Sequence, residues 1–543
     1  MADSYLYAET IDAKIKEDPM QKKEMLYVLD QNGGSYNGQI QLDTSTLANS
    51  GKFLAYSEAY LEIPLQITAK STVDITAAVN GFILGLKNGY HQLIDSIQVD
   101  YNNSNVVQQQ PFTNFFVTYK LMSTFSRDDL VKYGPSIGFW PDNAASMSYA
   151  SAANINGDGT SNNLVNPAGS ITYASQLESS NAGFLKRLQS TSYPISGYGG
   201  ITQINTSALA NQIGKNYLNS SGVGAATVYQ WSILATIRLK DLADFFDKMP
   251  LVKGAFMRMT INYNSANMTM TSTSSPITMV TSSLTMRSGR TNPILLSSGA
   301  ALNPLATLPA GVLTIGCGIG ASTLNSIGTS QISSVRLYVP AYKLNPQYEE
   351  QLYSLAPVRE ISYTDLYNYN VVSIAPGGQF NAILTNGIVD PRYLVVLPFL
   401  SGSNSGVAGN FPPYQSMFDS APGTTSPLCA LSNFNVQVGG ENLFQQNFQY
   451  DFEAFLNETS RLGAIAGGCS TGLTNGLLGS LEFDNGYRYY VADLSRGLPS
   501  EDSIPKSITI QGTNNTSKII DLITFTVSGR KIRLDSLTGA ILK

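Results

Sequence analysis

His91 is the sole histidine in 543 residues, so a catalytic triad or a zinc site would depend wholly on it. Its setting, Asn88-Gly89-Tyr90-His91-Gln92, reads as a strand-end histidine satisfied by its neighbours. The cysteines Cys317, Cys429 and Cys469 are odd in number and lack metal-ligand spacing, which disfavours both a disulfide framework and a metal site. The run from Gly316 to Ala321 follows an apolar strand, as a nucleotide-binding glycine loop would. Such a loop needs a helix behind it and βαβ alternation around it, yet Ser322 to Gly328 is a poor helix former. Asn156-Gly157-Asp158-Gly159 lacks the spacing of a calcium loop and reads more simply as a turn. Carboxylate pairs for glycoside hydrolysis are defined by their separation in space, which a sequence does not give. No catalytic residue, cofactor or metal is expected.

The elements that would have to position any site are strands. Leu61, Ile63, Leu65 and Ile67 alternate with Glu62, Pro64, Gln66 and Thr68, and such a strand covers a core with one face. The pattern returns at Ile40/Leu42, Ile233/Ala235/Ile237/Leu239, Ala255/Met257/Met259/Ile261, Val335/Leu337/Val339 and Ile523/Phe525/Val527. Helical spacing is clearest at Phe112, Phe115, Phe116, Tyr119 and Met122. A second short helix is expected from Asp241, as N-cap, through Leu242, Phe245, Phe246 and Met249 to Pro250. Stretches without period, Ser401 to Pro427 and Gly463 to Gly479 among them, read as elaborated surface loops.

Charged residues make up 13% of the chain, against about 25% in soluble domains, while hydrophobic residues make up 43%. Amides and hydroxyls must then cover much of the surface, and they cost less to desolvate against a neighbour than Lys or Glu. A formal charge of -5 with no polybasic arm argues against a protein that neutralises nucleic-acid phosphates, so no sequence-specific nucleic-acid binding is expected. The stretch from Met1 to Met25 lacks the apolar core of a signal peptide, and no run reaches the roughly 18 apolar residues of a membrane span. The product is expected to be soluble when made.

An internal echo bears on architecture. Ile97-Gln98-Val99, a polar turn, Val107-Gln108-Gln109-Gln110 and the Phe112 helix match a later series. That series is Val436-Gln437-Val438, a Gly439-Gly440-Glu441-Asn442 turn, Phe444-Gln445-Gln446-Asn447 and a helix carrying Phe448, Phe452, Phe455 and Leu456. A weaker echo links Arg238 to Leu242, followed by Met259 to Asn262, with Val491 to Leu494, followed by Ile508 to Gln511. A duplicated antiparallel unit of about eight strands, with a helix in one crossing, suits a jelly roll better than a barrel or propeller. The fold expected is all-β, two fused eight-stranded jelly rolls with short helices and long surface loops. The boundaries expected are an N-terminal arm over 1–35, a first roll over 36–266 with an insertion loop at about 142–226, and a second roll with C-terminal tail over 267–543. The passage between rolls would fall near Asn264 to Pro276.

These residues resemble a known family. Ile237 to Gly254, followed by Arg258-Met259-Thr260-Ile261-Asn262, is similar to the double-jelly-roll major capsid proteins of polinton-like viruses and virophages, a lineage related to adenovirus hexon. Val335 to Tyr342, Tyr489 to Arg496, Ile510 to Asn514, Asp521-Leu522 and Leu537 to Ala540 extend the resemblance through both halves. The loop from Asp142 to Ala226 shares nothing with it. The resemblance implies a pseudo-hexagonal homotrimer that tiles an icosahedral virion shell around double-stranded DNA, commonly with an internal lipid membrane. It also implies neighbouring capsomers, penton and minor capsid proteins as partners.

Arg238, Lys240, Asp241 and Asp244 form a charged cluster able to make intersubunit ion pairs or simply to solvate a helix end. Phe245 and Phe246 could meet a trimer neighbour or pack on their own core. A different class of function, a carbohydrate-binding or glycan-cleaving β-sandwich adhesin, would use the 30 Tyr and 22 Phe, although Trp140 and Trp231 are its only tryptophans. A shell protein of a single-stranded DNA virus is opposed by the missing basic arm and by the echo.

Overall fold

The structure, a computed structural model, describes residues 20–71, 82–142, 183, 218–221, 227–274, 277–298, 311–319, 334–402, 412–415, 424, 429–445, 448–465, 476–495 and 503–542. Residues 143–182 and 184–217 of the expected insertion loop, Asn156 to Gly159 and Cys469 lie outside them. So do residues 1–19 of the expected arm and most of the Ser401 to Pro427 and Gly463 to Gly479 stretches.

The first part of the chain supplies β1 (Met20–Leu29), β2 (Gln39–Asp43), β3 (Phe53–Leu54), β4 (Tyr60–Ser71), β5 (Phe82–Leu86), β6 (Ile94–Tyr101), β7 (Ser104–Val107) and β8 (Leu218–Ser221). It continues with β9 (Thr227–Arg238), β10 (Met257–Tyr263), β11 (Ser265–Ser274), β12 (Ile277–Ser288), β13 (Ile294–Ser298), β14 (Gly311–Ile319) and β15 (Arg336–Leu344). Two sheets with orders β1-β15-β4-β9 and β2-β10-β6-β7 face each other. Leu61, Ile63 and Leu65 point into the core between them, as the alternation predicts.

The rest supplies β16 (Val358–Ile374), β17 (Gln379–Ile388), β18 (Pro391–Leu400), β19 (Leu431–Val438), β20 (Glu441–Asn442), β21 (Tyr490–Asp493), β22 (Lys506–Asn514), β23 (Ile520–Asp535) and β24 (Ile541–Leu542). Its sheets have orders β16-β23-β18-β21 and β17-β22-β19-β20. In chain order, the first sheet of each roll takes strands 1-8-3-6 and the second takes 2-7-4-5. Both rolls therefore have the same jelly-roll topology. The sequence echo maps onto it: β6 and β7 occupy the places of β19 and β20, and β10 that of β22.

The expected boundary is corrected. Ser265–Ser274 is no passage but strand β11, which pairs with β12 and β14, while β14 and β15 both bond to one edge of β4. Residues 265–319 are thus inserted before the last strand of roll one, which ends at Leu344. Helix α5 (Pro346–Leu355, counted below) leads to roll two at Val358. The expected arm over 1–35 is also corrected, because Met20–Leu29 is the first strand of roll one.

Among the described residues, besides a single turn at Ser45–Ala48, the helices are α1 (Thr113–Thr124), α2 (Arg127–Ile137), α3 (Leu239–Leu242), α4 (Asp244–Lys248), α5, α6 (Phe452–Ile465) and α7 (Ser480–Asn485). Helix α1 realises the Phe112 periodicity. The second expected helix is broken at Ala243 into α3 and α4, and Asp241 lies inside α3 rather than capping it. In the Gly316 run, Gly316 and Gly318 sit within β14, bonded to β11 and β4, in strand and not in a loop.

Candidate functional site: a closed seam and an open edge

Helix α1 carries aromatic residues because it lies between two cores. Phe115 packs on Phe399 at 5.1 Å, Phe116 on Phe525 at 5.5 Å and Tyr119 on Tyr489 at 5.2 Å, joining roll one to strands and turns of roll two. Polar contacts close the same seam. The Tyr363 hydroxyl donates to Val106 O at 2.7 Å, and Arg530 donates to Val106 O and Asn105 O while pairing with Asp365 at 2.7 Å. The free edge of β16 is capped by side chains of roll one: Asn368 N donates to Gln110 Oε1 and Thr364 N to Asp244 Oδ2. An uncapped edge strand is a template for unwanted pairing.

The six residues singled out in the sequence belong to this seam or its flank. Phe245 and Phe246 are fully buried, and Phe245 meets Tyr101 of its own roll and Tyr363 of the other at 5.1 Å. Of the two readings open for them, packing within the chain is the one this burial fits. Arg238 forms a two-pronged ion pair with Asp241, at 2.7 and 3.0 Å, under Phe125 and Tyr133. Asp244 accepts from both the backbone and the hydroxyl of Thr364, and the carbonyl of Lys240 accepts from Lys120 Nζ. The sequence shows that these residues cluster but not which surface they meet. The roles of Gln110, Asp365 and Arg530 are not visible in it, since they depend on the relative placement of two rolls.

One edge remains open. Among the described residues β1 pairs with β15 alone, and Met25, Tyr27 and Leu29 are 51%, 59% and 48% exposed. Tyr27 lies opposite Tyr338 and Tyr338 opposite Tyr60, giving a cross-strand row with ring centroids 5.9 and 5.1 Å apart. Arg336 lies over Tyr27 and Lys23 over Tyr342. This row is the outer face of the sheet whose inner face carries Leu61 and Leu337.

No family model and no curated protein matches the sequence. Among solved structures, a chain in the cryo-EM structure of the Sputnik virophage aligns over 97% of this chain and 88% of its own, with a TM-score of 0.50 and 10% identity. The fold is the virophage-type double jelly roll. The mavirus major capsid protein (TM-score 0.45, 8% identity, covering 95% of this chain and 89% of its own) and the Faustovirus major capsid protein (0.42, 9%, 95% and 91%) are more distant. The fold assignment rests on the Sputnik alignment and on the strand orders above.

Within this double jelly roll, His91 is structural. It is buried in the turn Tyr90–Leu93, where Gly89 at φ +88° precedes it; a Cβ at Gly89 would stand 2.2 Å from His91 Cε1. Thr118 Oγ1 donates to Asn114 O, so His91 Nε2, 2.8 Å away, is the donor to Thr118. Burial pushes the imidazole pKa down to about 3. The native ring is therefore neutral, and below its ordinary pKa of 6.5 the unfolded chain takes up a proton that the fold refuses. This contribution to stability is complete above that value and is lost as pH falls towards the folded one, by up to ~1.4 kcal/mol per pH unit. Urea midpoints followed from neutral pH to about pH 5 are expected to fall more steeply for the native chain than for His91→Gln; parallel slopes would contradict the buried neutral imidazole.

Cys317 and Cys429 are both buried. Among the described residues no helix is long and apolar enough to cross a membrane.

Proposed function

We propose that this chain is the major capsid protein of an icosahedral double-stranded DNA virus, acting by assembly and not by catalysis. One observation carries the reading: two complete jelly rolls of identical strand order are fused through a buried seam, aligned along 97% of the chain with a protein of the Sputnik virophage. Two similar rolls held rigidly side by side form a building block with a repeated outline. Three such chains would present six rolls, a pseudo-hexagon that tiles a curved shell. The low charged fraction supports it, because amides and hydroxyls are the cheaper groups to bury between neighbours.

The partners of this reading are two further copies in a homotrimer, neighbouring capsomers, and penton and minor capsid proteins. With no polybasic arm and a net charge of -5, the shell would be kept from the genome by other proteins or by an internal membrane. Light scattering joined to negative-stain imaging of the purified chain tests it. Particles of three chain masses with a hexagonal outline, or closed shells, are expected. Strict monomers at high concentration, with binding on a glycan array, would favour the adhesin reading instead.

A further inference from the structure

Each roll has a side that covers and a side that receives, because the two share one topology. Inside the chain, the covering side of roll one is the stretch from β7 into α1. It caps the edge of β16 through Gln110 and lays Phe115 and Phe116 on Phe399 and Phe525. The receiving side is the sheet of roll two that starts with β16. Two counterparts are left over: the sheet of roll one that starts with β1, and the side of roll two formed by β20 and the first turns of α6.

We propose that these two leftovers meet between copies, β20 and α6 of one chain covering β1 and the Tyr27–Tyr338–Tyr60 row of the next. This inference rests on the assembly reading above and names the surfaces it uses. Exposure fits: β1 offers Met25, Tyr27 and Leu29, and the covering side offers Glu441, Glu453 and Asn457. The difference between α1 and α6 also fits. Helix α1, whose partner is always attached, is buried on nearly every face, whereas α6 keeps a polar exposed face suited to a chain that folds before it meets its neighbour.

Charge selects the occupant. The receiving side carries Lys22, Lys23, Arg336 and Lys343 against Glu24, Glu58 and Glu62, a small basic excess. The covering side of roll two carries Glu441, Asp451 and Glu453 at exposed positions, with Glu458 buried and Arg461 as the one basic residue of α6. A basic receiving side and an acidic covering side attract across copies, while two like sides repel, so the contact is head-to-tail. A head-to-tail contact makes a ring when its rotation closes. If each contact between copies repeats the turn made by the seam inside the chain, the ring closes with an even number of rolls, six for three chains.

The test is charge reversal on the full chain. All four positions are exposed, and the pairs that Lys22 and Lys23 make with Glu24 and Glu58 are surface pairs of small worth, so folding should survive. Lys22→Glu with Lys23→Glu, and separately Glu441→Lys with Glu453→Lys, are expected to weaken trimer association by about tenfold or more in light-scattering titrations, with unchanged circular dichroism. All four substitutions in one chain restore opposite charges and are expected to restore the trimer. Tyr27→Asp, aimed at the aromatic row, is expected to weaken it without any charge swap to rescue it. Trimers that persist undiminished in both double variants and in Tyr27→Asp would overturn the inference and leave the assembly reading standing; residues 1–19 of the same chain covering β1 would give that result. A native chain that never trimerises would overturn both.

Discussion

Phe245→Ala is expected to lower the stability of the folded chain by about 3–5 kcal/mol, the cost of a large aromatic removed from a close-packed site. Phe245 is fully buried and its ring is fixed edge-on by Tyr101, Phe246 and Tyr363, which come from both rolls. The cavity would open where the rolls join, and the buried apolar residues of the two rolls form one connected cluster. Loss of packing there should be felt by both rolls together, as one lowered urea transition rather than two separate ones. Circular dichroism at two protein concentrations separates this from an intersubunit role. A contact between copies would make the lost stability depend on concentration. The same drop at both concentrations is expected; a variant with native stability but reduced particle mass would return Phe245 to the interface between subunits.

Much of this fold was legible in the sequence for a physical reason. A helix wedged between two cores must be aromatic at helical spacing, so Phe112 to Met122 stood out, and the second roll repeats the strand-turn-helix series with Phe452 and Phe455. Single strands were also readable, since alternation such as Leu61/Ile63/Leu65 follows from one buried face. The boundary was not. Ala266/Met268 of β11 and Leu337/Val339 of β15 alternate as in any other strand, and alternation says that a strand has a buried face without saying in which sheet it pairs. The strand character of β1 is hidden because Lys22, Lys23 and Glu24 mask its start, and because from Met25 to Leu29 both faces carry apolar side chains. That second apolar face, Met25, Tyr27 and Leu29, was the available signal that β1 has something to meet on each side. The exposed Tyr row spans three strands distant in sequence and becomes visible only once their register is known.

Breaking the Asp365–Arg530 pair should have the other large effect, and the two ways of breaking it should differ with pH. The pair lies at the seam with Asp365 nearly sealed from solvent, and Arg530 also satisfies the carbonyls of Asn105 and Val106. Removing Arg530 leaves Asp365 buried and uncompensated and costs about 3–5 kcal/mol, whereas removing Asp365 costs less because Arg530 is 29% exposed and keeps part of its hydration. In Asp365→Asn the orphan is a guanidinium, which keeps its charge at any accessible pH, so the deficit should be nearly constant. In Arg530→Met the orphan is a carboxyl that can discharge itself. Burial already holds the Asp365 pKa above its ordinary value, with Arg530 pulling it down, and losing Arg530 removes that restraint. A carboxyl raised in the folded state adds stability below its unfolded pKa and loses it as pH rises through the folded one. The Arg530→Met deficit, measured against the native chain at each pH so that His91 cancels, should therefore shrink on acidification while that of Asp365→Asn does not. Equal pH dependence in the two variants would mean that Asp365 is better solvated than its burial implies, and that the seam is held by its aromatic contacts.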